Sequence, residues 1–198
     1  MKAIAAKILE WAVARPEGAI ICAKALLRFG TRAAVDQALS RLAREEKLVR
    51  ASRGTYLLPV EGKFGKRPPE PTKVVEALAR TEGERIVPSG AAAANALGLT
   101  TQVPVRAIYV TAGRSRRLQI GAQVVEIRHV PGWQVALAGR PAGEAIRALA
   151  WLGPMNAPVA LRALKKQLPP ADLEELISAG AIMPSWMAAA VAETLTNG

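Results

Sequence analysis

Apolar residues near the start of the chain recur with a helical period. Ile4, Ile8 and Trp11 stand at i, i+4 and i+7, which predicts one buried face of a first helix that "RPEG" then ends. A second short helix over "ICAKALLRF" is expected to stop at Gly30, a natural helix C-terminal residue. Thr31 can then cap a third helix over "RAAVDQALSRLAREEK". On a 100°-per-residue wheel its Val35, Ala38, Leu39 and Leu42 fall within about 100° and face a core. The opposite side holds Ala33, Gln37, Ser40 and Arg44, with Arg41 alongside. The pattern next changes to two short strands, "LVRASRGTYLLP", turning around Ser52–Arg53–Gly54. Tyr56 and Leu58 share one face of the second strand.

The rest of the chain mixes both periods. "TKVVEALART" reads as a helix with Thr72 as its cap and Val74, Val75 and Leu78 apolar, and "GERIVP" reads as a strand. Ser89 is placed to cap a helix through Ala91–Ala94, which should weaken at Asn95 and end at Gly98. With side chains this small, that helix is expected to lie close against a sheet. The sheet comes from "VRAIYVTAG", "RRLQIG" and "QVVEIRHVP", joined by turns at Ala112–Ser115 and Ile120–Ala122. After Trp133 the chain reads as helical, over "GEAIRALAWLG", "VALRALKKQ", "ADLEELISA" and "SWMAAAVAETL". Pro169–Pro170 suits the start of the third of these. The fold class is α+β: an N-terminal winged helix-turn-helix, then a mixed α/β C-terminal domain with a small sheet and C-terminal helices.

"VEGKFGKRPPEP" combines Gly, basic residues and three prolines, so it reads as a linker between residues 1–67 and 68–198. Charge sharpens that division. The net charge is +11; residues 1–67 carry 14 Lys/Arg against 6 Asp/Glu and residues 68–198 carry 13 against 10. A basic module joined to a nearly balanced one is the footprint of nucleic-acid binding, although a basic face also serves solubility. Charged residues interrupt the N-terminal apolar pattern, so no signal peptide is expected, and no uncharged stretch is long enough to span a bilayer. A cytoplasmic protein without a membrane partner is the expectation.

The outer face of the third helix has the side chains for reading DNA. Gln37 can pair with adenine, Arg41 and Arg44 with guanine, and Ala33 can touch a thymine methyl, while Ser40 adds a small hydrogen-bonding group. Arg32, at the helix start, suits a phosphate. The hairpin tip carries Arg50, Ser52, Arg53 and Thr55. Arg53 is the leading wing residue, because arginine suits a narrow, negative minor groove. Asp36, Glu45 and Glu46 oppose DNA and are expected off the contact face, paired with basic neighbours. A winged helix used for protein contact, with a solvated basic face, is the competing reading.

Catalytic signatures are missing from the sequence. The chain has only two aspartates, Asp36 and Asp172, in different segments, and one histidine and one cysteine. Neither a metal site nor a disulfide framework follows from that inventory. Cys22 reads as a core residue, Glu126 and Arg128 as a strand ion pair, and His129 as structural. No phosphate loop, dinucleotide fingerprint or nucleophile elbow occurs. The protein is therefore expected not to be an enzyme and to need no cofactor. Arg114, Arg116 and Arg117, on the "GRSRR" turn, form a basic patch. It is either a solvated turn or a second phosphate or acidic-partner contact, and Lys165 and Lys166 offer a weaker version of the same choice.

Two stretches carry a family resemblance: "GTRAAVDQALSRLAREEKLVRASRGTYLLP" and "PSGAAAANALGLTTQVPVRAIYVTAGRSRRLQIGAQVVEIRHVP". Together with the late "MPSWM" they resemble the AbiEi-type antitoxins, in their DUF6088-like branch, of type IV toxin–antitoxin and abortive-infection systems. The resemblance implies a winged helix that represses its own operon at inverted repeats in the promoter. It also implies a C-terminal domain that counteracts a cognate nucleotidyltransferase-like toxin, without requiring a stable complex. The DNA contacts it implies are Gln37, Ser40, Arg41, Arg44 and Arg53. A stand-alone or ligand-responsive regulator without a toxin is the alternative.

Overall fold

The computed structural model describes residues 2–63 and 65–196. The chain is α+β and divides into two compact units, residues 1–84 with 116–126, and residues 85–115 with 127–198. That division differs from the expected boundary at residues 67/68.

The first unit opens with α1 (Lys2–Val13), α2 (Ala23–Leu26) and α3 (Arg32–Arg44). Ile8, Leu26, Val35, Leu39 and Leu42 from these helices are buried together with Leu48 and Tyr56 in one apolar cluster. Cys22 is half-buried at the position preceding α2, outside that helix. After α2 the chain tightens into a 3-10 turn, Leu27–Phe29, and reaches Gly30 with extended backbone, φ 165°. Gly30 thus ends the helical segment without a left-handed conformation, and the nearest atom a Cβ there would meet is the tip of the Ile4 side chain, Cδ1 at 2.9 Å. Thr31 caps α3 as expected, its hydroxyl accepting from the Ala34 N–H at 3.3 Å.

Strands β1 (Val49–Ser52) and β2 (Thr55–Leu57) pair antiparallel, with Gly54 supplying φ +77° at the turn. Tyr56 also bridges Ile21, each backbone N–H donating to the other's carbonyl at 2.8–2.9 Å. Tyr56 and Leu58 join the helical core, but Leu57 is buried as well. The hairpin is therefore covered on both faces, and β7 (Arg116–Ile120) packs against β1.

The expected linker is folded. Its first half forms a second antiparallel hairpin, β3 (Val60–Gly62) and β4 (Gly65–Arg67), with Glu61 opposite Lys66 and Gly65 at φ +102°. The prolines that follow lie within the first unit. They lead into α4 (Pro71–Glu82), where Pro71 takes the first helical position and Glu70, not Thr72, precedes the helix. Proline's fixed φ and missing donor suit that position. The loop before α2 lies tightly on α4: a Cβ on Gly18 would sit 2.7 Å from the Lys73 carbonyl carbon. Glu17 fastens the same junction. Its carboxylate takes Lys73 Nζ at 2.6 Å, Arg67 Nη1 at 3.1 Å and the Glu70 N–H at 3.0 Å.

The second unit contains β5 (Ile86–Pro88), α5 (Gly90–Ala96) and β6 (Ala107–Thr111). β8 (Gln123–His129) begins in the first unit and ends in the second; among the described residues the sheet order is β5-β6-β8-β7. α6 (Pro141–Leu152), α7 (Ala157–Gln167), α8 (Pro170–Ser178) and α9 (Ser185–Thr196) follow. Ile146, Leu149, Leu161, Leu164, Leu176, Met187 and Val191 form their common core. The alanine run is indeed a helix, but its neighbour is α6 rather than the sheet. Ala93 and Ala94 pack with Ala148, and a Cβ on Gly90 would lie 2.4 Å from the Arg147 carbonyl oxygen. Small residues permit that helix–helix approach. Ser89 occupies the cap position without a side-chain capping bond, and the helix ends at Leu97–Gly98, where Gly98 adopts φ +64°.

Candidate nucleic-acid interface

The residues singled out on α3 share a surface. Val35, Ala38, Leu39 and Leu42 are buried on its inner side, while Arg32, Ala33, Gln37, Ser40 and Arg44 are exposed. The amphipathic spacing dictates this, because the inner residues recur at i, i+3, i+4 and i+7. A depression of about 520 Å³ runs along the helix, lined by Gln37, Ser40, Arg41 and Arg44 together with Asp36. Asp36 therefore borders the contact face instead of lying off it. It accepts from Arg32 Nε at 2.8 Å across one helical turn, so Arg32 reaches the surface already paired.

Arg41 is half-buried and leans toward Glu45, Nε to Oε1 3.6 Å. Lys47 Nζ donates to the same carboxylate at 2.8 Å. That hydrogen bond is the main reason the Glu45 carboxyl is held below its ordinary pKa. Arg44 has no ion pair or hydrogen bond among the described residues. The last turn of α3 thus carries Arg44, without an ion pair or hydrogen bond among the described residues, beside Arg41 and Lys47, which share the Glu45 carboxylate. Glu46 takes φ +55° where the chain leaves the helix.

On the β1–β2 hairpin, Arg50 and Arg53 are exposed and Ser52 is half-buried. Arg53 precedes the glycine at the turn and is likewise without a partner among the described residues. A bulge between Arg50 and Ser52 locally shifts the strand register.

The expected basic patch on the "GRSRR" turn does not form as a free cluster. Arg116 is held in bidentate fashion by Glu84, at 2.8 and 3.2 Å, and also meets Glu82 at 3.0 Å. Its side chain is 22% exposed, so it links the end of α4 to β7 rather than facing solvent. Arg117 is exposed but pairs with the buried Glu126 at 3.3 Å. Arg114 is exposed and belongs to the second unit. His129 is structural as expected: its N–H donates to Ser115 Oγ at 2.8 Å and Nδ1 lies 2.9 Å from the Gly113 carbonyl.

A cation–aromatic stack forms at the end of α1. Arg15 lies 4.0 Å over the Trp11 ring, and Arg28 lies 4.7 Å over Phe29 and 6.0 Å from Trp11. The four-residue spacing of Trp11 and Arg15 was its one visible sign. Among the described residues, no group of three or more His, Cys, Asp or Glu could hold a metal ion. No helix there is long and apolar enough to cross a membrane.

A family model described as a family of unknown function, DUF6088, matches residues 7–168. No curated protein and no solved structure matches the chain significantly.

Proposed function

We propose, from the premise that the chain belongs to the DUF6088 family, that it binds double-stranded DNA through α3 and the β1–β2 hairpin. The reading is a winged helix-turn-helix, with α3 as the recognition helix and Arg53 on the wing. One observation carries it. A capped amphipathic helix turns Gln37, Ser40 and Arg44 outward over an accessible depression, and its most available arginine has no intramolecular carboxylate bonded to it. Gln and Arg are the side chains that read base edges in the major groove. A strongly basic chain supplies the phosphate attraction.

The fuller proposal is an antitoxin of the AbiEi type. It represses its own operon at inverted repeats in the promoter, and its second unit counteracts a nucleotidyltransferase-like toxin. The sequence resemblance supports this; the fold is compatible with it. Binding to the chain's own promoter, measured against salt, tests the DNA reading. Loss of each phosphate-contacting arginine should lower the salt slope by about one. Wild-type affinity and slope in Arg44→Ala/Arg53→Ala would refute it. Co-expression with a neighbouring toxin gene, scored by growth, separates an antitoxin from a stand-alone regulator.

A further inference from the structure

The second unit carries a groove that the DNA reading does not use. It consists of two adjoining depressions, about 650 and 330 Å³, that share Val159 and Ala163. Both lie along α7, whose Val159, Arg162, Ala163 and Lys166 follow one another at helical spacing on its outer side. One end is apolar, with Leu99, Leu152 and Ala160. The other is basic, with Arg162, Lys165 and Lys166, and Thr194 of α9 closes it. Among the described residues, no acidic side chain lines either depression and none of the three cations has an ion pair or hydrogen bond. Val159 is 63% exposed and the neighbouring Met155 is 88% exposed.

We propose that this groove docks an acidic, amphipathic segment of another protein, its apolar residues on Val159 and Leu99 and its carboxylates on Arg162 and Lys166. Charge complementarity selects the sign of the occupant. The apolar end selects its class: a phosphate backbone has no use for a floor of Leu99, Leu152 and Ala160, whereas a helix laid in a groove does. The 11 residues of α7 give a track of about 16 Å, enough for three turns of such a helix. Among the described residues, the acidic helix of a second copy is not free to fill the groove. That helix, α8, places Leu176 in the core and bonds Glu175 to Arg140.

The test uses the full chain and a fluorescent model helix of about 18 residues, long enough to fold on the groove. The helix has leucine at i, i+3, i+4 and i+7 and glutamate elsewhere. Anisotropy should show saturable binding that weakens by about tenfold or more in Arg162→Glu/Lys166→Glu. It should weaken several-fold in Val159→Ser and stay unchanged in Arg44→Ala/Arg53→Ala. The same helix with lysine for glutamate should not bind. Absence of binding, indifference to the charge reversal, or equal binding of the lysine helix overturns the proposal. So does displacement of the bound peptide by mixed-sequence duplex DNA, which would make the groove a nucleic-acid surface. A dimer that dissociates on charge reversal would make it a contact between copies, and also overturns it. If charge reversal lowers the melting temperature, Arg162→Gln/Lys166→Gln replaces it, with the same direction expected. Because α3 and the wing are untouched, failure here leaves the DNA reading standing.

Discussion

Two arginine-rich turns of this molecule look alike in sequence and differ in the structure. The β1–β2 hairpin presents Arg53 at its tip with no carboxylate to hold it among the described residues. The "GRSRR" turn presents Arg116 to Glu82 and Glu84, and Arg117 to Glu126. The first is available to a ligand; the second has largely been taken up by the fold. A basic cluster therefore stays available to a ligand only where the chain fails to supply its own counter-charge, and the counter-charges of Arg116 lie more than thirty positions upstream.

The sharpest way to break that contrast is to remove the free cations. Arg44→Ala with Arg53→Ala should weaken promoter binding by about a hundredfold, since a good base contact contributes about 1–3 kcal/mol. The melting temperature should not move, because neither side chain is bonded to the rest of the fold. Calorimetry beside a binding isotherm checks both halves. A drop in stability would mean that these arginines are structural after all.

Arg116→Ala should do the reverse. It removes the Arg116 contacts of Glu82 and Glu84 at the joint between α4 and β7, for a loss of about 1–2 kcal/mol in chemical denaturation. DNA affinity should stay within about twofold, the margin expected when no contact is lost. If DNA binding collapsed while stability held, the assignment of the two turns would have to be exchanged.

Glu17 holds two cations, Lys73 and Arg67, and it titrates in an accessible range. Lys73, then the Glu70 N–H, hold its carboxyl at about 2, against an ordinary value of 4.5. A carboxyl depressed on folding contributes stability that is fully present above 4.5 and is lost as pH falls from there toward 2. Melting temperatures from pH 6 down to 2.5 should therefore fall less steeply for Glu17→Gln than for wild type. Parallel curves would show that the Lys73 and Arg67 contacts carry no net linkage.

These contrasts also explain what could be read ahead of the structure. The helices were legible because their signals are local: the spacing of Val35, Leu39 and Leu42, the hydroxyl of Thr31, the prolines before α8. The outward face of α3 follows from the same spacing. Partners distant in sequence were not legible. The segment 60–71 reads as a linker from its glycines and prolines, yet Val60–Arg67 pairing makes its N-terminal part a hairpin. The alanine helix is expected on the sheet from its small side chains, and Gly90 against Arg147, with Ala93 and Ala94 against Ala148, places it on α6. Arg147 itself stands in an amphipathic helix as any polar residue would. It is fully buried, and that burial pushes its guanidinium below the ordinary pKa.

The smallest effect tests the rule on α3 itself. Asp36 neutralises Arg32 and borders the depression that Gln37 and Ser40 line. Both side chains are well exposed, so the pair is worth about 0–1 kcal/mol to stability, and Asp36→Asn should leave the fold within that margin. For DNA the change removes a negative charge and frees a cation at the N-terminal end of α3. Promoter affinity should rise about threefold at low salt, and the gain should shrink as salt approaches physiological strength, because exposed charges are then screened within about 8 Å. A gain that survives high salt would mean that the introduced amide bonds a base directly. A loss would mean that Asp36 orients Arg32 for its contact, making the carboxylate part of the interface and the distinction between free and neutralised arginines too coarse on this helix.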